Sequence, residues 1–302
     1  MSRPSNKILI TGSNGLLGQK LVNYCLDHNI DFLASANNDN VSSLCPDDHF
    51  TILDITNPKQ VKAVIDHYQP THIINTAAMT NVDACEIDIE NCYAVNYVGV
   101  KNLLNAITGS NTHLTQISTD FIFDGEKKLY NENDSIGPLS EYGKSKWKAE
   151  SFLLGSSHEK ITILRTSILY GTGESLKKSN IFNWAMTQLR EGKELKIVND
   201  QFRTPTFVDD LVQACFKVID KGVNGVYNIA GGELHSMYDY ILLLAEYVGA
   251  DKKLVHPINS QELNQKAIRP RSSGLMIAKA KQEIGYVPTD FVQTLFKIDP
   301  AI

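Results

Sequence analysis

The chain reads as an α/β protein built on a doubly wound parallel sheet, with a smaller, discontinuous second domain. Three observations predict this. Up to about Tyr170, short apolar runs alternate with helix-length amphipathic segments, the pattern of strands covered by helices on both faces. A turn with three glycines, TGSNGLLG at 11–18, follows directly on the first apolar run. The 302 residues are 42% hydrophobic and 21% charged, enough for a sizeable core in one large or two joined domains.

KILIT (7–11) is expected as the first buried strand, and Leu17, Leu21 and Tyr24/Cys25 recur behind it at helical spacing. DFLAS (31–35) and FTILDI (50–55) are the second and third strands. Asn57-Pro58 then opens a helix, with Asn as cap and Pro in the first turn. HIINTAA (72–78) is a fourth strand, and one long helix is expected over 83–106. HLTQIST (113–119) and ITILRTS (161–167) complete the run. Past 170 the rhythm loosens: a helix at 180–191, a strand at 194–198, a helix at 207–221, a strand at 225–230 returning to the main sheet, and an amphipathic helix at 236–248. The expected division is 1–168 with 207–232 as a dinucleotide-binding domain, and 169–206 with 233–302 as a substrate domain.

Net charge is −5, which argues against nucleic acid as the main partner, since phosphate backbones call for a basic surface. No apolar run reaches the ~18 residues of a membrane span, and a polar leader runs straight into the first strand, so the expected location is cytoplasmic. Cysteines 25, 45, 85, 92 and 215 are odd in number and form no CxxC, as suits thiols in a reducing compartment. No ligand spacing announces a metal site.

Ligands of doubly wound sheets bind at the carboxyl ends of the strands. The turn at 11–18 places Gly12, Gly15 and Gly18 between a strand and a helix, with Asn14 and Leu16 among them. Glycines there let a pyrophosphate approach the backbone, and the helix N-terminus offers unpaired N–H groups. Ser118 and Thr119 close the fifth strand; adjacent residues point to opposite faces, so one of the two meets a substrate. In EYGKSKWKAE (141–150), Tyr142 and Lys146 are four apart and share a helix face. A phenol titrates near ~10, too high for efficient donation at neutral pH, and a nearby cation is expected to lower it.

TGSNGLLG together with YGKSK (142–146) resembles the extended short-chain dehydrogenase/reductase superfamily, a Rossmann-type fold. STDFIFDG (118–125), NTAAMTNVDACE (75–86), DQFRTPTFVDDL (200–211) and RPRSSGL (269–275) resemble its dTDP-4-dehydrorhamnose reductase family. The resemblance implies Tyr142 as general acid, Lys146 as its partner and ribose ligand, and Thr119 as the hydroxyl beside the substrate oxygen. For the cofactor it implies Gly12, Asn14, Gly15, Leu16, Gly18, Ser35, Asp54, Ile55, Ala77, Ala78, Asn96, Ser118, Tyr142 and Lys146. For a nucleotide-sugar substrate it implies Thr80, Val82, Asn180, Gln201, Arg203 and Arg269, with Arg271 a further arginine suited to a diphosphate.

NADP(H) is slightly favoured, because no carboxylate closes the second strand to repel a phosphate, and use of NAD(H) as well is expected. The second strand ends in ASANNDN (34–40), with neither the carboxylate that grips a ribose hydroxyl nor a base for a 2′-phosphate directly at its end. Two positions depart from the family pattern: Ile168 stands where a tryptophan usually follows RTS, and Arg203 where DQ-x-G-x-PT has a small residue. The run Thr119-Asp120-Phe121 lacks the glutamate of a sugar dehydratase. The expected reaction is NAD(P)H-dependent reduction of a nucleotide-linked 4-keto sugar; an epimerase of the same fold, or a silent regulatory subunit of a partner enzyme, are the alternatives. A homodimer is left open.

Overall fold

A computed structural model describes residues 6–176 and 180–299; the leader before Asn6 lies outside them. Seven strands form one parallel sheet: β1 (Lys7–Thr11), β2 (Asp31–Ala36), β3 (Phe50–Ile52), β4 (His72–Asn75), β5 (His113–Thr119), β6 (Ile161–Thr166) and β7 (Gly225–Ile229). Their order is β7-β6-β5-β4-β1-β2-β3. The chain winds outward from β1 to β3, then crosses back to β4, so the switch point lies between β1 and β4. There Thr11 is in register with Asn75, and both strands end at one crevice.

Apolar clusters cover both faces. On one, Leu17, Leu21 and Cys25 of the Leu16–Asp27 helix pack with Val208, Leu211 and Cys215 of the Val208–Lys221 helix. This cluster continues through Phe182, Met237, Tyr240 and Phe291 of the second half. On the other face, Val61, Leu103 and Leu153 pack over Leu9, Ile73 and Leu114. The strand at 225–230 does return to the sheet, pairing in parallel with β6.

Three expected elements differ. The third and fourth strands stop at Ile52 and Asn75, leaving Asp54, Ile55, Ala77 and Ala78 in the loops above the sheet. The single helix over 83–106 is four pieces: Val82–Ile87, Ile89–Tyr93, a π-helical turn at Ala94–Val98 and Gly99–Ile107. Asp88 breaks the run. Its φ of −121° is not helical, and its carboxylate accepts the Asn91 N–H, capping a new start. All five cysteines are buried thiols. Among the described residues no helix is long and apolar enough to cross a membrane, and no group of three or more His, Cys, Asp or Glu could hold a metal ion.

Candidate active site

The glycine turn sits at the switch point. Gly12 has φ +74°, and a Cβ there would lie 2.6 Å from the Ala77 nitrogen. A Cβ on Gly18 would meet the Gly12 carbonyl at 2.4 Å. These two glycines are demanded by packing, whereas a Cβ on Gly15 meets nothing closer than 3.4 Å. Gly15 caps the Leu16–Asp27 helix without any side-chain hydrogen bond, and no acid occupies the first turn. Two buried hydroxyls near the strand ends, Ser13 and Ser118, have no partner. An uncapped helix N-terminus under a close-packed glycine turn, with unpartnered hydroxyls beside it, fits a dinucleotide pyrophosphate.

Other residues expected on the cofactor have local roles. Asn14 ties the turn to the loop after β2, donating to Asp39 O (2.8 Å) and accepting from Val41 N–H (3.2 Å). Ser35 is fully buried and donates to the Ile10 carbonyl of the neighbouring strand. One Asp54 oxygen accepts both the N–H and the hydroxyl of Thr56. Ile55 is core, set against Gly99. Asn96 is fully buried: its amide brackets Met79, accepting from its N–H (2.8 Å) and donating to its carbonyl (3.1 Å), and reaches Ser145 Oγ at 3.0 Å. It fixes the loop after β4 to the helix that carries Tyr142. Ala77 and Ala78 are half-buried on that loop.

That helix, Glu141–Leu154, starts at Ser140, whose hydroxyl accepts from Gly143 N–H. Gly143 lets it press onto Phe121, since a Cβ there would lie 2.2 Å from the Phe121 carbonyl. The result brings Tyr142 against the end of β5. Tyr142 is half-buried, and the Thr119 hydroxyl is the polar neighbour of its phenol. Burial pushes the phenol above its ordinary range and Thr119 pulls it back, while the Asp120 carboxylate raises it further. The expected lowering by Lys146 does not occur: Lys146 is itself 3% exposed, donates to Ile117 O at 2.7 Å, and is lowered to about 8 by burial.

Beyond Tyr142 opens a cavity of about 410 Å³. Asn180, Gln201, Arg203 and Arg269 line it, as expected; Thr80 and Val82 do not. Sequence reasoning missed Phe121, Trp184 and Lys196, which also line it. Ile168 is on the wall, and the indole comes instead from Trp184 on the Ile181–Arg190 helix. Asn180 caps that helix, accepting from Asn183 N–H. Arg269 is held by Asp83 (2.7 Å), and that ion pair holds the Asp83 carboxyl below its usual range. Arg203 is only 1% exposed. Its guanidinium donates to the carbonyls of Phe202 (2.7 Å) and Pro270 (2.7 Å) and lies 5.6 Å from the Phe121 ring centre. Burial lowers it to about 10. It therefore ties two loops together at the cavity wall.

A doubly wound parallel sheet with a glycine turn at its switch point, and Thr119, Tyr142 and Lys146 beside it, defines a short-chain dehydrogenase/reductase-type protein. The family described as RmlD substrate binding domain matches residues 6–298. A dTDP-4-dehydrorhamnose reductase of Aggregatibacter actinomycetemcomitans is 34% identical over 97% of this chain and 98% of its own. A solved dTDP-4-dehydrorhamnose reductase from Clostridium acetobutylicum superposes with a TM-score of 0.86 at 33% identity, covering 97% of this chain and 98% of its own. One from Bacillus anthracis, solved in complex with NADP, also gives 0.86 at 27% identity, covering 99% and 100%. The chain belongs to the dTDP-4-dehydrorhamnose reductase family.

Proposed function

We propose that this chain reduces a nucleotide-linked 4-keto sugar with NADPH or NADH. The observation that carries the reading is the Tyr142–Thr119 pair at the end of β5, joined through Phe121 to a cavity whose charged lining residues are the cations Lys196, Arg203 and Arg269. A cationic, largely apolar cavity suits a sugar carried on a diphosphate. The relative solved with NADP supports the cofactor class.

The turn at Gly12, Gly15 and Leu16 would hold the pyrophosphate, and Lys146 the ribose beside the reacting ring. Bound there, the dinucleotide supplies a hydride to the ketone carbon. Tyr142 donates its proton to the carbonyl oxygen, which becomes the hydroxyl of the product. Phe121 and Ile168 keep water from the reacting carbon. In this reading segments 1–168 and 207–232 hold the cofactor, while 169–206 and 233–302 shape the substrate cavity with Phe121 as the shared wall.

The experiment is a scan of dTDP-, UDP- and GDP-linked 4-keto sugars with NADH and NADPH in parallel. Stoichiometric cofactor consumption with one of them supports the reading. Interconversion of sugar epimers without net cofactor use would make the chain an epimerase. No turnover, with a co-purifying enzyme whose rate the chain changes, would make it a regulatory subunit.

A further inference from the structure

Of the three cations lining the cavity, two already have partners. Arg269 forms a two-pronged ion pair with Asp83 (3.2 and 2.7 Å) and also donates to the Ala267 carbonyl. Arg203 is 1% exposed, and its terminal nitrogens donate to the backbone carbonyls of Phe202, Pro270 and Arg271. Lys196 differs from both. It is the one exposed residue of the otherwise buried strand Leu195–Val198 and lines the cavity. Its ammonium has no hydrogen-bond or ion-pair partner among the described residues. Trp184 lines the same cavity from the Ile181–Arg190 helix. That helix meets the core through Phe182, Ala185, Met186 and Leu189. Trp184 stands outside both apolar clusters and leaves 42% of its surface open.

We infer that Lys196 and Trp184 hold the nucleoside diphosphate of the substrate: the ammonium takes the diphosphate, and the indole stacks on the base. The inference rests on the reading of the chain as a nucleotide-sugar reductase and deepens it. A lysine ammonium is a compact charge with three donors, suited to phosphate oxygens. An indole face accepts any base, because every base has a π-face. The two arginines, named first for the diphosphate, instead build the wall: their donors are committed to Asp83 and to backbone carbonyls. The direction of the substrate follows. Phe121 meets Tyr142 at 6.0 Å between ring centres, so the sugar lies at the Phe121 end of the cavity. The nucleotide then lies along the wall supplied by the second half of the chain. The indole at 184 serves the base, so it is not a displaced copy of the sugar-packing tryptophan expected at position 168.

The test is calorimetric binding of dTDP, UDP and GDP to the full chain with NADP+ present, carried forward with the tightest of the three. Lys196→Gln is expected to weaken that nucleotide about ten-fold or more, and Lys196→Arg, which keeps the charge, to restore most of the affinity. Trp184→Ala is expected to weaken it about ten-fold, the size of one base–aromatic stack. Melting temperature and NADP+ affinity should stay unchanged in all three variants, since neither side chain belongs to the core or to the glycine turn. Binding should also quench indole emission in the wild type and not in Trp184→Phe, which leaves Trp147 as the remaining indole of the two in the chain. If none of the three nucleotides binds, the nucleotide-sugar reading itself falls. If one binds and either Lys196→Gln or Trp184→Ala leaves its affinity unmoved, that reading stands and this inference is overturned.

Discussion

Phe121 and Tyr142 meet edge to face, with ring centres 6.0 Å apart and planes at 73°. One face of the Phe121 environment is thus the Tyr142 ring, another the Arg203 guanidinium, and a third the 410 Å³ cavity. In the proposed reading, the reacting end of the site and the sugar-binding end share this one ring. Phe121→Ala is expected to lower kcat/KM for the keto-sugar nucleotide roughly ten- to hundred-fold, as misplacement of the donor does, with cofactor affinity changed only a few-fold. Steady-state kinetics beside cofactor titration checks this; equal losses in both would place the ring's role elsewhere.

The glycine turn separates steric from ligand demands. Gly12→Ala and Gly18→Ala put a Cβ within 2.6 Å of backbone atoms, so both are expected to lower the melting temperature as well as cofactor affinity. Gly15→Val has room for its first atom yet projects bulk at the uncapped helix start. Cofactor affinity is expected to fall about ten-fold or more with a smaller loss of stability. Calorimetry of the three variants, with and without cofactor, measures the split.

His113, 4% exposed, stacks against His72 with ring centres 5.8 Å apart at the opposite end of the sheet. Burial lowers both, His113 to about 4. An unfolded histidine takes its proton near ~6.5, so between these values the unfolded chain binds more protons than the fold. Stability from this group is complete above about pH 6.5 and is lost as pH falls toward 4. Urea titrations from pH 7 to 4.5 are expected to show a decline of about 2 kcal/mol, with a shallower slope in His113→Gln. A flat profile would mean the pair is solvated.

Much of this was legible from the residues alone. Strand–helix alternation predicted the sheet because each strand's apolar run is local, the strand-end rule led to Ser118 and Thr119, and the four-residue spacing with the family resemblance led to Tyr142 and Lys146. What stayed hidden was set by distant chain. Nothing at Arg203 announces that its donors close onto carbonyls 67 and 68 residues away, and a buried arginine reads like a surface one. Asn96 lies in a stretch with continuous helical periodicity, so its grip on Met79 became visible only with the π-helical turn. The break at Asp88 did carry a signal, an aspartate able to cap, but the apolar spacing around it outweighed that. Phe121 was read for what it is not, a glutamate, and its position between donor and cavity depended on Gly143 bringing two segments together.

The proton donor is tested most directly by the rate of Tyr142→Phe with its keto-sugar nucleotide at saturating NADPH. The fold should be intact, since only a hydroxyl is lost, and cofactor affinity should stay within a few-fold. Turnover should fall by about 10² to 10⁴. A variant that turned over at the wild-type rate would show that the proton comes from another group, and the chemistry assigned to this end of β5 would be wrong.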